Sequence, residues 1–248
     1  MAERYTTAGR LLLEVNRAKT VLAGVPNHQW AVLVPMFWHG DDVHWSKGLA
    51  AYARLLEQTR GELGFTSERM RQRWGEAIDS AGALVDPPQF AMQAQALNAS
   101  RLGELTVERL EAMDEALAQA GRAYTVEETR KAEVLADLDD FIASVEAGPG
   151  TDLDDVLLER LRELRFVLSR FALFGKEGAQ DAVAGMLGAV AMAGMAPALV
   201  IPDALKVRLS RAGRLGKAVL DLAVYGHEGS LAIQWLGHMA GLLPPPAG

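Results

Sequence analysis

Histidine and aspartate side chains are concentrated at residues 39–44, and they could bind a metal ion. His39, Asp42 and His44 bring two imidazoles and a carboxylate close together in sequence, and these groups are ligands for divalent metals. Their spacing differs from the His-Glu-x-x-His motif carried on one helix, so a polar loop that leads into a helix is the alternative. A metal-dependent enzyme centred on these three residues is therefore one hypothesis of function.

Other catalytic patterns are missing from the sequence. The chain has no cysteine, which excludes a thiol nucleophile, a disulfide scaffold and a zinc ribbon. Neither the Gly-x-Ser-x-Gly elbow nor a phosphate-binding P-loop occurs. The acidic run at 137–140 is best interpreted as a solvated helix face. The sequence predicts no catalytic residue and no cofactor, and it leans away from an enzyme.

Aromatic residues cluster in the N-terminal third. Tryptophan is enriched at the centres of protein interfaces, but it is also a large core residue. The candidates for partner binding, with the hydrophobic core as the alternative, are Trp30, Phe37, Trp38 and Trp45.

A short pattern occurs twice near the C-terminus, at 172–179 and 223–230. Both copies read Ala, aliphatic, aromatic, Gly, basic or His, Glu, Gly, small residue. Glycine commonly ends a helix by adopting positive φ, so each copy predicts the turn of a helical hairpin. A polar turn cluster of Glu177, His227 and Glu228 is the functional alternative to simple turn chemistry.

An uncharged segment and a basic segment follow each other in this region. Residues 182–202 carry no charge and reach the length of a membrane span, although the segment is mostly Ala and Gly and contains Pro197. The basic helix predicted at 203–224 could meet an anionic membrane surface, or it could be a solvated face. Its cationic residues are Lys206, Arg208, Arg211, Arg214 and Lys217. A membrane-acting effector is therefore a second hypothesis, with membrane contact conditional on a trigger.

Helical periodicity and helix boundaries dominate the rest of the chain. Thr125 with Glu128 is a capping box that predicts a helix start, and Thr151 followed by Asp154 predicts the start of another helix, which runs to Phe174. The segment 25–45 is the exception, because Pro35 and its β-branched neighbours favour an extended aromatic loop or a short edge strand. Gly148, Pro149 and Gly150 predict a boundary between an N-terminal helical region, 1–147, and a C-terminal hairpin region, 151–248.

These signals predict an all-α protein, a multi-helix bundle of antiparallel helices with two similar helical hairpins at the C-terminus. The net charge of −7 does not favour nucleic acid as the main partner. No secretory leader is evident in the first residues, and the composition suggests a cytoplasmic bacterial protein. We therefore expect a helical protein that acts through protein–protein contacts, as an adaptor, a regulator or a self-assembling component, with a protein partner or a second copy of itself.

Overall fold

The computed structural model describes residues 2–39, 44–148, 150–194 and 203–223. This part of the chain holds ten α-helices and a two-stranded sheet in which β1 pairs with β2, which confirms the all-α class. In chain order the elements are β1 (Ala2–Tyr5), α1 (Thr7–Gly24), α2 (Trp30–Trp38), α3 (Trp45–Gly61), α4 (Glu68–Gly82), α5 (Ala94–Arg101), α6 (Glu104–Gln119), β2 (Tyr124–Glu127), α7 (Glu128–Glu146), α8 (Asp152–Ser169), α9 (Phe171–Gly194) and α10 (Asp203–Ala223).

The first compact unit, called here the N-terminal unit, consists of Arg4–Tyr124 together with the segment Ala172–Phe174. Helix α1 lies at its centre and packs against α3, α5 and α6, while α2 packs on α3. The buried face of α1 carries residues three or four positions apart, as an amphipathic helix requires. Its apolar members are Ala8, Leu11, Val15, Ala18 and Leu22, each fully buried.

The remaining described residues form the C-terminal unit. Helix α7 packs against both α8 and α10. Helix α7 thus belongs to the same unit as α8 and α10, and this unit begins after Tyr124. The domain boundary at the Gly-Pro-Gly turn stays a prediction. Helix α10 comes close to α9 at Gly216, where a Cβ would lie 3.2 Å from a methyl carbon of Val183.

The segment Ala172–Phe174 completes the core of the N-terminal unit. Leu173 is 1% exposed and belongs to its hydrophobic core. Helix α9 is interrupted just after this segment, because Gly175 has φ 66° and ψ −171°, a positive φ that glycine adopts without steric cost. The carbonyls of Ala172 and Leu173 instead accept hydrogen bonds from the side chain of Arg10, at 2.8 and 3.1 Å.

Two predicted helix starts have different outcomes. The helix start predicted at Thr151 and Asp154 is confirmed, and these two residues form a capping box at the start of α8. The capping box of Thr125 and Glu128 was wrong, because residues 124–127 form β2 and α7 begins at Glu128. Pairing with β1 decides the conformation here, and the ring of Tyr124 stacks on Tyr5 with centroids 5.7 Å apart.

The prediction of an extended loop over 25–45 was also wrong, because this segment contains α2. The buried residues of α2 follow helical spacing, and they are Trp30, Leu33, Val34, Phe37 and Trp38. Burial of this face in the core offsets the cost of Pro35, which lies inside the helix and has no N–H to donate to the carbonyl four residues earlier. The apolar residues of this segment already show helical spacing in the sequence. The prediction of an extended conformation gave more weight to Pro35 and the β-branched residues.

Candidate functional site

The N-terminal end of α2 is attached to the chain around residues 84–93. The indole of Trp30 donates a 2.9 Å hydrogen bond to the carbonyl of Leu84, and its backbone N–H donates to the carbonyl of Met92, also at 2.9 Å. Gln29 and Gln93 form an antiparallel bridge beside these bonds. Backbone and side-chain hydrogen bonds together therefore fix where the helix begins.

The C-terminal end of α2 is held by α3 and α1. Gly48 of α3 lies so close to Trp38 that a Cβ at position 48 would be 2.7 Å from the Trp38 carbonyl oxygen. From α1, Arg17 donates a 3.0 Å hydrogen bond to the carbonyl of Phe37, and its guanidinium carbon lies 4.5 Å from the centroid of the Phe37 ring. A cation that donates to the last carbonyls of a helix also interacts favourably with the helix dipole.

The outward side of α2 is exposed and apolar. It consists of Ala31, Val32, Pro35 and Met36, which we call the α2 outer face. Val32 is 57% exposed and Met36 is 75% exposed, and residues 30–38 include no charged side chain. A helix at a protein surface ordinarily carries polar residues on its solvent side, so this face departs from the usual pattern.

A buried carboxyl group lies next to the C-terminal end of α2. Glu14 of α1 is only 4% exposed, and its carboxylate oxygen is 3.4 Å from a guanidinium nitrogen of Arg17. Burial raises the pKa of Glu14 from 4.5 to about 7, although the charges of Arg17 and Arg10 act to lower it. A group with this pKa changes its charge near neutral pH.

The predicted partner-binding aromatic residues lie in or against the core of the N-terminal unit. Trp30, Phe37 and Trp38 are at most 3% exposed, and Trp45 is partly buried and packs against the core. The exposed apolar side chains of the same segment are instead those of Val32 and Met36. Val32 and Met36 were not predicted from the sequence, because the prediction depended on residue type and not on position in a helix.

The predicted metal-binding residues are only partly described. His39 is the exposed residue after α2, and His44 precedes α3, where its Nδ1 accepts a 3.3 Å hydrogen bond from the backbone N–H of Ser46. Asp42 lies outside the described residues. Within the described ranges no three His, Asp or Glu side chains are grouped to hold a metal ion, and the site at His39, Asp42 and His44 stays a prediction.

Two of the predicted membrane-facing cations have partners inside the C-terminal unit. Arg208 pairs with the carboxylate of Asp154, which is 2% exposed, and Arg211 pairs with Asp137 at 2.7 Å. Of the other cations on α10, Arg214 and Lys217 are exposed. Helix α10 therefore uses part of its positive charge to hold α7 and α8.

The predicted apolar span and the predicted polar turn cluster are partly outside the described residues. Residues 182–194 belong to α9, while 195–202 are not described. In the parts of the chain that are described, no helix is both long and apolar enough to cross a membrane. Glu177 is half-buried in α9, whereas His227 and Glu228 are not described, so the second hairpin and the cluster stay predictions.

Comparison of the chain with known protein families, curated proteins and solved structures found no match.

Proposed function

We propose that this protein acts through protein–protein contacts, as an adaptor, a regulator or a subunit of an assembly, and that the α2 outer face is its contact surface. The observation that carries the proposal is the exposed apolar side of α2, which has Val32 and Met36 at its most exposed positions. The segment is the one predicted from the sequence as an interface, but the contact residues proposed here are different.

Burial of the α2 outer face would release enough free energy to bind a small apolar element of a partner. Removing one Val or Met side chain from water contributes roughly 1.5–3 kcal/mol. Both ends of α2 are fastened, by Trp30 at one end and by Gly48 and Arg17 at the other. A contact surface that is already ordered loses little conformational entropy on binding. Because the face spans only a few side chains of one helix, we propose that the apolar face of an amphipathic helix of the partner packs against it.

Site-specific photocrosslinking in the cells that make the protein tests the proposal. A photoreactive amino acid replaces Met36, and in a matched control it replaces Leu105 of α6, which is 58% exposed in the same unit. We expect a defined crosslinked protein from position 36 that is absent from position 105. The Val32→Glu substitution should weaken this crosslink about tenfold or more, because it places a charge in the contact.

Circular dichroism and urea unfolding check that Val32→Glu leaves the fold intact, which is expected because Val32 is exposed. Equal crosslinking patterns from positions 36 and 105, or a crosslink at position 36 that is insensitive to Val32→Glu, would overturn the proposal.

A further inference from the structure

The surroundings of α2 contain very few carboxylates. Helix α2 packs on α3, contacts α1 through Arg17, and bonds to the chain around residues 84–93. In residues 15–39, 44–56 and 84–93 the only carboxylate is the half-buried Asp86, although the chain has 32 acidic residues and a net charge of −7. The cations in these three ranges are Arg17, Lys19, Lys47 and Arg54.

The loop that joins α2 to α3 does not reverse this balance. It contains Asp41 and Asp42, which lie outside the described residues. With the loop included, residues 15–56 hold the same four cations against these two carboxylates. The part of the chain that carries the α2 outer face is therefore positive within an acidic protein.

Arg17 brings a positive charge that solvent can reach to the C-terminal end of α2. Its guanidinium donates to the carbonyl of Phe37, the residue next to the exposed Met36, and yet its side chain is 41% exposed. Its carboxylate partner, Glu14, has a side chain that is only 5% exposed. Among the described residues these two bonds use two of the five guanidinium N–H donors. The exposed part of Arg17 can therefore bind a carboxylate of another molecule.

The N-terminal end of α2 also favours negative charge. The N-cap residue Gln29 makes no capping hydrogen bond with its side chain, and the first turn contains no acidic residue. The N-terminus of a helix carries the equivalent of about half a positive charge, and here no carboxylate of the helix balances it. Gln29 is exposed, so a carboxylate of a partner can come close to this end.

One partner helix can meet both ends and the apolar surface between them. Helix α2 has nine residues, which corresponds to a length of about 13 Å. Carboxylates two to three turns apart on a partner helix span the same length. Residues at spacings of three and four positions share one face of a helix, so apolar residues between those carboxylates can cover Val32 and Met36.

We propose that the partner of the α2 outer face is an acidic amphipathic helix: its apolar stripe packs on Val32 and Met36, and its flanking carboxylates bind Arg17 at one end of α2 and lie near Gln29 at the other. This inference rests on the proposed function, because it names the chemistry of the partner at the same surface. An anionic membrane carries a similar charge, but helices that bind membranes insert large apolar side chains. The two tryptophans of α2 are instead fully buried.

These charges should decide which partner binds more than how tightly it binds. One exposed ion pair contributes little in water, and it changes a Kd by about two- to fivefold. Attraction at both ends of α2 for an acidic helix, and repulsion at both ends for a basic one, should together give at least a tenfold preference.

Two synthetic helical peptides of about 18 residues test the inference with the full chain. Both carry the same leucine stripe, which is flanked by glutamates in one peptide and by lysines in the other. We expect fluorescence anisotropy at low salt to give the glutamate peptide a Kd at least tenfold lower than that of the lysine peptide. The difference should shrink at about 0.5 M salt, because screening weakens interactions between exposed charges.

Substitutions at the two ends of α2 separate recognition from folding. Gln29→Glu adds a negative charge that the helix dipole favours, so α2 should stay folded while the glutamate peptide binds about two- to fivefold more weakly. Arg17→Gln removes the positive charge at the other end and should weaken binding by a similar factor. Arg69→Gln removes the same charge from an exposed position of α4, and as the control it should change the Kd less than twofold.

Several outcomes would overturn the inference. They are equal binding of the two peptides, no binding of the glutamate peptide at about 1 mM, and binding that neither Gln29→Glu nor Arg17→Gln changes. Insensitivity to Val32→Glu would place the peptide elsewhere, and binding of the chain to phosphatidylserine vesicles without binding of the glutamate peptide would favour a membrane. A crosslink from position 36 that still depends on Val32 would in each case leave the proposed function standing, so the two proposals fail separately.

Discussion

Gly48 is the residue on which the packing of α2 against α3 most directly depends. A Cβ at this position would lie 2.7 Å from the carbonyl oxygen and 3.3 Å from the Cα of Trp38. These are backbone atoms of a helix that is held at both ends, so they cannot move without displacing the helix. We expect Gly48→Ala to lower the free energy of unfolding by about 1–3 kcal/mol, as overpacking of a core does, measured by urea denaturation.

Gly75→Ala is the matched control for this prediction. Gly75 lies inside α4, and the nearest atom to an added Cβ is a methyl carbon of Leu63 at 3.8 Å, an ordinary van der Waals distance. Alanine is the better helix former, so this variant should gain about 0.5–1 kcal/mol. A gain of stability in both variants would mean that helix propensity, and not the approach of Trp38, governs position 48.

At the scale of elements, the start of α8 depends on the carboxylate of Asp154, which caps the helix and also pairs with an arginine of α10. Asp154 accepts a 3.1 Å hydrogen bond from the backbone N–H of Thr151, and it also pairs with Arg208 of α10. Burial raises the pKa of Asp154, but hydrogen bonds from Thr151 and Arg208 outweigh it and lower the pKa below its ordinary value. The ionised side chain thus joins the helix cap to a neighbouring helix.

We expect Asp154→Ala to destabilise the protein by about 2–4 kcal/mol, because it removes a capping acceptor and leaves Arg208 without this partner. Thermal or urea unfolding measures the loss. Asp155→Ala, one residue further along the same helix and exposed, should cost only a few tenths of a kcal/mol. Similar losses in both variants would show that net charge near the helix N-terminus is sufficient and that the pair with Arg208 contributes nothing.

The sequence predicted a helix start correctly where the signal comes from residues close together in the chain. The Thr151 and Asp154 box involves two residues three positions apart, so it could be recognised without the fold. Helix α2 was missed because its formation depends on burial of one face in a core whose other members lie far away in sequence. Glu14 was missed because nothing beside it in sequence distinguishes a buried carboxyl from an exposed one. Its position on the apolar stripe of α1, between Leu11 and Ala18, was the available signal.

At the scale of the whole molecule, Arg10 holds a segment that is distant in sequence. Its side chain is 3% exposed and donates to the carbonyls of Ala172 and Leu173. Arg10→Met keeps the apolar length of the side chain but leaves these carbonyls without their charged donor. We expect a loss of about 2–4 kcal/mol in the free energy of unfolding.

Limited trypsin digestion provides the second readout, because Arg170 and Lys176 flank this segment. Cleavage after either residue should be faster in Arg10→Met than in the wild type. Arg69→Met, at an exposed position of α4, is the control and should leave both stability and cleavage unchanged. Unchanged cleavage in Arg10→Met would mean that Leu173 alone keeps the segment in place.

The long separation between Arg10 and its acceptors, 162 and 163 residues along the chain, has a consequence for synthesis. Residues 4–124 leave the ribosome well before Leu173, so the N-terminal unit must wait for the last residue of its core. During that interval the apolar surface that Leu173 later covers is exposed. Exposed apolar surface of this kind is bound by chaperones or leads to aggregation. Contacts this distant also slow folding, because the chain between them must be closed before they form. The time needed to translate residues 125–173 therefore sets how long the core of the N-terminal unit lacks Leu173.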